Sequence, residues 1–236
     1  MYNEVLLMQY VITGANRGIG LEFVEQLLER GDSIIATARK PDEADELQSL
    51  SATYGDRLEI TTLDVTEADT IDALSNLVDD RSVDVLINNG ATMIGAGTID
   101  DLNEDALFKS FDVNTVGPLR VSAALLDSLE RSEEAKIVNI TSKMGSIADN
   151  GSGGSYAYRI SKTALNMATR SMAIDLEPRG IIAFVIHPGW VQTRMGGSSA
   201  LIDTETSVSN MLDVIDDADA STSGTFQEWN GNVIPW

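Results

Sequence analysis

Tyr158 and Lys162 stand four residues apart in a stretch with helical apolar spacing, so both side chains lie on one helix face. The spacing has a chemical use. A phenol with its ordinary pKa of ~10 is a poor acid–base group near neutrality, and a neighbouring ammonium favours the phenolate. Taken alone, a Tyr-x-x-x-Lys pair is also a common surface pair, so its company decides its meaning. Ser142 lies shortly upstream, just past the apolar run Lys136–Ile140, where strands of a parallel sheet deliver groups to ligands. Near the start, Thr13-Gly14-Ala15-Asn16-Arg17-Gly18-Ile19-Gly20 ends one apolar run and opens a helical one. Such glycines let the backbone turn tightly and approach a pyrophosphate, whose charge meets the free N–H groups at the helix start.

These residues need elements to hold them. Apolar runs suited to strands recur at Tyr10–Thr13, Ser33–Ala38, Leu58–Leu63, Val83–Asn88, Lys136–Ile140 and Ile181–Ile186. Helical spacing fills most of the gaps: Ile19–Arg30, Glu43–Tyr54, Ala68–Asp80, Glu104–Arg131 with an interruption near Gly117-Pro118, and Tyr156–Glu177. The alternation predicts an α/β chain, a single-domain Rossmann fold with a doubly wound parallel sheet. No repeat or linker divides the 236 residues, so one domain is expected over 8–236. A disordered extension is expected over 1–7, Met8 being itself a possible start. The stretch 150–154 is glycine-rich and flexible, and 196–217, poor in pattern over 196–209, is expected to be a lid.

The residues after the second strand choose between dinucleotides. An NAD site has a carboxylate there for the ribose hydroxyls, but this chain reads Ala36-Thr37-Ala38-Arg39-Lys40. Arg39, with Arg17 from the glycine loop, suits a 2′-phosphate and predicts NADP(H), the alternative being that both arginines are solvated surface.

With these motifs in hand, the sequence resembles the short-chain dehydrogenase/reductase family along essentially its whole length. The match comprises TGxxxGIG at 13–20, Leu63-Asp64-Val65-Thr66, Asn88-Asn89, VNxxGP at 113–118, Ser142, Tyr158-x-x-x-Lys162 and PGWVxT at 188–193. The resemblance implies that Tyr158 protonates a carbonyl oxygen, Ser142 hydrogen-bonds it, and Asn114 holds a water feeding protons to Lys162. It further implies that Lys162 grips the nicotinamide ribose. The implied cofactor contacts are Gly14, Asn16, Arg17, Gly18, Ile19 and Gly20 at the phosphates, Asp64 and Val65 at the adenine, and Asn89 at its ribose. Pro188, Gly189, Val191 and Thr193 fall around the nicotinamide. Each has a plainer reading: Ser142 and Thr193 as turn residues, Asn114 as a helix interruption, Asp64 as a cap. The order Gly90-Ala91 reverses the family's usual Ala-Gly, which adds strain if the second position needs positive φ. Within the family, Gly189–Gly197 and the segment 224–236 are similar to the sniffer and C-factor group of carbonyl reductases. That likeness implies reduction of a ketone or aldehyde, dimeric assembly, and for some relatives signalling. The short gap from Ser142 to Tyr158 has no room for an extra helical arm and leaves the usual helix-pairing surface free.

Composition narrows the partners. A net charge of -21, from 37 acidic and 16 basic residues, opposes nucleic acid and anionic membrane as partners, while the family resemblance implies a small-molecule carbonyl or alcohol substrate. No apolar run nears the ~20 residues of a membrane span, and the opening lacks a signal peptide's basic start, so a cytoplasmic protein is expected. Cysteine is absent, which removes disulfides, thiolate nucleophiles and Cys-ligated metal, and no metal site is expected. Only five of the basic residues are lysine, a profile similar to proteins of salt-rich cytoplasms, so a halophilic protein is expected, the alternative being an ordinary acidic cytosolic one. The single histidine, His187, reads as a strand-end residue because Tyr158 already supplies an acid–base group. The reading is NADPH-dependent reduction of a carbonyl. Its rivals are a cofactor-binding signalling protein with little turnover and an NAD-linked alcohol dehydrogenase.

Overall fold

Along Gln9–Ile12 the side chains alternate, Tyr10 and Ile12 joining one buried apolar cluster and Val11 another. The two clusters are the two faces of one sheet. A computed structural model describes residues 7–236, so the extension expected over 1–7 lies, but for Leu7, outside the described residues. The chain runs β1 (Gln9–Ile12), α1 (Gly18–Arg30), β2 (Ser33–Ala38), α2 (Asp45–Tyr54), β3 (Leu58–Thr62), α3 (Ala68–Leu77) and β4 (Val85–Asn88). It continues through α4 (Glu104–Phe111), α5 (Gly117–Ala124), α6 (Leu126–Leu129), β5 (Lys136–Ile140), α7 (Tyr156–Leu176), β6 (Ile182–His187), α8 (Thr204–Asp216) and β7 (Phe226–Glu228).

All seven strands pair in parallel, in the order β3-β2-β1-β4-β5-β6-β7. Helices α1, α2 and α8 cover one face through Phe23, Leu27, Leu47, Val208 and Met211. The other face is covered by α3, α5 and α7 through Leu74, Val121 and Ala173. This is the doubly wound Rossmann sheet that the alternation predicts. From β1 the chain winds outward to β2 and β3, then returns to β4 on the other side, so a crevice opens beyond the C-terminal ends of β1 and β4. Among the described residues, no helix is long and apolar enough to cross a membrane.

Three features depart from the sequence expectation. Half of the stretch 196–217, expected as a lid, is α8, whose Val208, Met211, Leu212 and Ile215 are buried, so only the part before Thr204 lies outside the core layer. Strand β7 has three residues, too few to leave a periodic signal, and pairs with β6 through Val185 to His187. The long helix expected over Glu104–Arg131 is broken by a π turn at Asp112–Val116 before α5. A π turn widens the backbone by one residue and turns side chains that a regular helix would aim elsewhere.

Candidate active site

The three glycines after β1 each answer a steric demand. Gly14 has φ +65, and a Cβ there would stand 2.8 Å from the Gly90 Cα. A Cβ on Gly20 would strike the Gly14 carbonyl oxygen and, at 2.5 Å, the Asn89 Nδ2. The loop is fastened from β4: Asn89 Nδ2 donates to the carbonyls of Thr13 and Gly14 at 3.0 Å each, and the Thr13 hydroxyl accepts from the N–H groups of Asn89 and Gly90 at 3.0 and 2.9 Å. No φ at Gly90 or Ala91 is positive, and Ser155 is the one left-handed non-glycine residue among those described, so the reversed order costs no strain.

Helix α1 begins at Gly18 with no side-chain cap from Arg17 and no acidic residue in its first turn, so its free N–H groups face the crevice uncompensated. Cations gather around that end. Burial, then the charges of Arg194 and Arg39, hold the Arg17 guanidinium below its usual pKa, so three guanidiniums share one field. Arg17, Arg39 and Arg194 are exposed, and among the described residues none of their side chains makes a hydrogen bond or ion pair. A dinucleotide diphosphate fits such a cradle, because the glycines at 14 and 20 let the loop lie tight against the Asn89-Gly90 segment while the free N–H groups of the α1 start and the unpaired guanidiniums suit an anion. Asn16, Ile19 and Val65 sit half-buried along the same crevice. Asp64 acts as the plainer reading has it: its Oδ1 accepts from Thr66 N at 3.0 Å and Thr66 Oγ1 at 2.7 Å ahead of α3. These bonds, with the Arg39 charge, outweigh burial and keep its carboxyl below the usual range.

Beyond β6, Pro188 is buried and its carbonyl accepts from Ser207 Oγ at 2.6 Å. Gly189 has φ +86, and a Cβ there would stand 2.6 Å from the Ile202 Cδ1. Val191 bridges Ile202, and Thr193 Oγ1 accepts from Gly196 N at 3.0 Å. Burial pushes His187 down to about 4, so it is a neutral imidazole at ordinary pH, in keeping with a strand-end role.

The acid–base groups meet at the end of β5. Lys162 Nζ donates to the Ile140 carbonyl at 2.8 Å and stands 5.9 Å from the Tyr158 ring centroid. Ser142 caps a short turn, its Oγ accepting from Met144 N at 3.2 Å, and its hydroxyl also faces the Tyr158 phenol. Tyr158 and Lys162 are 8% and 3% exposed, and burial governs both. It pushes the phenol up, opposed by Ser142, and the amine down to about 7. The ammonium-favoured phenolate expected from the spacing is therefore not the state of the free protein, because burial raises the phenol and Ser142, not the amine, is what opposes it. A phenol that keeps its proton can donate it.

Asn114 sits in the π turn, fully buried. Its Oδ1 accepts from Thr92 N at 2.8 Å, and its Nδ2 donates to Thr92 O at 2.8 Å and Ser161 Oγ at 3.0 Å. Both amide hydrogens are thus committed to tying β4's following loop to α7. Thr92, Ser161 and Arg194 escaped the sequence reading; each lies beside a motif residue, which is the only signal they carry. Two open hollows of about 470 and 410 Å³ flank α8, the first lined by Glu22, Glu25 and Glu29, and neither contains the Tyr158 group.

A profile of the family described as short chain dehydrogenase matches residues 9–201. Among curated relatives, the C-signal protein of Myxococcus xanthus is 45% identical over 154 residues, covering 65% of this chain and 93% of its own. The 1-hydroxy-2-glutathionyl-2-methyl-3-butene dehydrogenase of Rhodococcus sp. strain AD45 is 32% identical over 231 residues, 96% of this chain and 98% of its own. Among solved structures, the carbonyl reductase Sniffer of D. melanogaster superposes with a TM-score of 0.93 at 33% identity, covering 98% of this chain and 100% of that one. The NADPH-bound carbonyl reductase from chicken fatty liver gives 0.92 at 35% identity over 98% and 99%.

Proposed function

The chain belongs to the short-chain dehydrogenase/reductase family, and from that premise we propose that it is an NADPH-dependent reductase of ketone or aldehyde carbonyls. The carrying observation is the buried meeting of Tyr158, Lys162, Ser142 and Asn114 beside a glycine cradle ringed by unpaired arginines. When bound, the dihydronicotinamide supplies the hydride. The chain supplies everything else. Tyr158 gives its proton to the carbonyl oxygen as the carbon is reduced, and Ser142 Oγ holds that oxygen. Lys162 replaces the proton and holds the nicotinamide ribose, while Asn114 fixes the π turn against Ser161 so that a water can reach Lys162. Gly14, Asn16, Gly18, Ile19 and Gly20 line the phosphates, Arg17 and Arg39 hold the 2′-phosphate, and Asp64, Val65 and Asn89 lie along the adenosine. Pro188, Gly189, Val191 and Thr193 bound the nicotinamide.

This reading goes with a cytoplasmic protein acting on a small carbonyl compound, or on the alcohol in reverse. It also goes with a dimer formed through α4 and α7, where Phe108, Phe111, Ile160, Met167 and Ile174 are exposed along two packed helices. The relative called C-signal motivates a second reading, a signalling protein with little turnover. The complete four-residue set argues against it. An NAD-linked alcohol dehydrogenase is disfavoured by the missing carboxylate after β2.

The experiment is an NADPH-oxidation screen over aldehydes, diketones, quinones and keto esters, with Tyr158→Phe beside wild type. General acid catalysis is worth about 10²–10⁴-fold, so the variant should lose at least 10²-fold in kcat while binding NADPH as before. A loss below about tenfold would remove Tyr158 from the proton-donor role. No turnover in wild type on any class would favour the signalling reading.

A further inference from the structure

The segment after β6 returns over the start of α1. Thr193 brings its methyl carbon to 3.4 Å from where a Cβ on Gly18 would stand. Its neighbour Arg194 belongs to a tight turn over 193–196, closed by Gly196 N on Thr193 Oγ1 at 3.0 Å and by the Trp190 indole on Gly196 O at 2.8 Å. Arg194 is exposed, and its side chain has no carboxylate or carbonyl partner among the described residues, in a chain with 37 acidic residues. Its charge and that of Arg39 both act on Arg17. Of the two, Arg194 bears more strongly on Arg17, while the Arg39 charge reaches across to Asp64 beyond β3. Arg17 at the first turn of α1 thus shares one electrostatic field with Arg39, after β2, and with Arg194, beside the Thr193 that packs on Gly18. Like charges held together without an internal counter-ion oppose one another until an anion arrives.

Resting on the NADPH reading above, we propose that Arg194 is a clamp on the pyrophosphate bridge of the dinucleotide, carried by the segment 192–203 rather than by the Rossmann core. It differs in kind from Arg39. The bridge is common to NADPH and NADH, so Arg194 acts on both alike, whereas Arg39 reads the 2′-phosphate that only NADPH has. Because Arg194 adjoins Thr193, phosphate capture also fixes the segment over the site's mouth before a carbonyl compound enters.

The test uses four probes bound directly to the full chain: NADPH, NADH, ADP, which has the diphosphate alone, and 2′-AMP, which has the 2′-phosphate alone. Arg194→Ala should weaken NADPH, NADH and ADP by about 10- to 100-fold, the worth of a hydrogen bond between charged groups, and leave 2′-AMP unchanged. Arg194→Lys should recover part of the loss, since a point charge replaces a two-pronged donor. Amide exchange gives a second readout: NADPH should protect 192–203 in wild type and not in Arg194→Ala. A loss confined to NADPH and 2′-AMP would place Arg194 at the 2′-phosphate and overturn the clamp. Unchanged affinity for all four would make Arg194 a plain surface residue. A wild type that binds none of the probes would overturn the NADPH reading itself, a result distinct from either.

Discussion

Lys162 has its nitrogen buried and bonded to the Ile140 carbonyl, and burial holds its pKa down at about 7. If its ammonium grips the nicotinamide ribose, NADPH selects the protonated amine, and binding raises the amine's pKa in the complex. The sign follows. Below pH 7 the ammonium is already present and affinity stands at its maximum; as pH rises past 7 binding must supply the missing proton. An amine half protonated at pH 7 is protonated in roughly one molecule in a hundred at pH 9, so affinity should fall by about 50-fold, ~1.4 kcal/mol for each full unit. The 2′-phosphate does not confuse this range, its second ionisation lying near ~6. The assay is a fluorescence titration of NADPH at fixed ionic strength from pH 7 to 9 in wild type, Tyr158→Phe and Lys162→Met. Wild type and Tyr158→Phe should share the slope, whereas Lys162→Met should bind weakly and evenly. A flat wild-type profile, or a slope that survives in Lys162→Met, refutes the ribose role.

Two other expectations follow from the charges. Arg39→Ala should weaken NADPH by about tenfold, the low end for a charge-assisted bond because the side chain is exposed, and leave NADH untouched; kcat/KM for both cofactors at fixed salt checks it, and an equal loss for both would return Arg39 to the plain surface. With 37 acidic residues against 16 basic, screening of carboxylate repulsion should raise the melting temperature by a few degrees between dilute buffer and ~2 M KCl, about 1–2 kcal/mol, and a flat or falling trend would remove the salt-adapted reading.

What the sequence made legible is what the backbone demands. Gly14 and Gly20 could be read in advance because their places admit no Cβ, and the central strands because parallel strands buried on both faces are largely apolar, while the edge strand β3 kept enough apolar residues to be seen. Helix α8 was missed although Val208, Met211, Leu212 and Ile215 keep the helical interval, because the small residues before it masked a pattern that begins only at Val208. The π turn was not legible either, because Gly117-Pro118 marks a break without saying that the ladder widens rather than stops.

The protonation state of the Tyr158 group was hidden for a different reason. Spacing places an amine beside a phenol, and from that alone the charge interaction is the visible effect. How deeply both are buried depends on β5, the π turn and α7 closing around them, which is a property of packing across more than forty residues of sequence separation. Desolvation then works against both charged forms, keeping the phenol protonated and holding the amine down to about 7, where it is only half protonated at neutral pH. The same logic separates Arg194 from the motif residues. Nothing in its own backbone or packing requires arginine at an exposed turn, so no local pattern marks it; only the return of Thr193 onto Gly18 brings it within the field of Arg17. In a chain that otherwise spreads negative charge over its surface, three cations left without partners at one crevice are intelligible as half of an interaction whose other half is an anion.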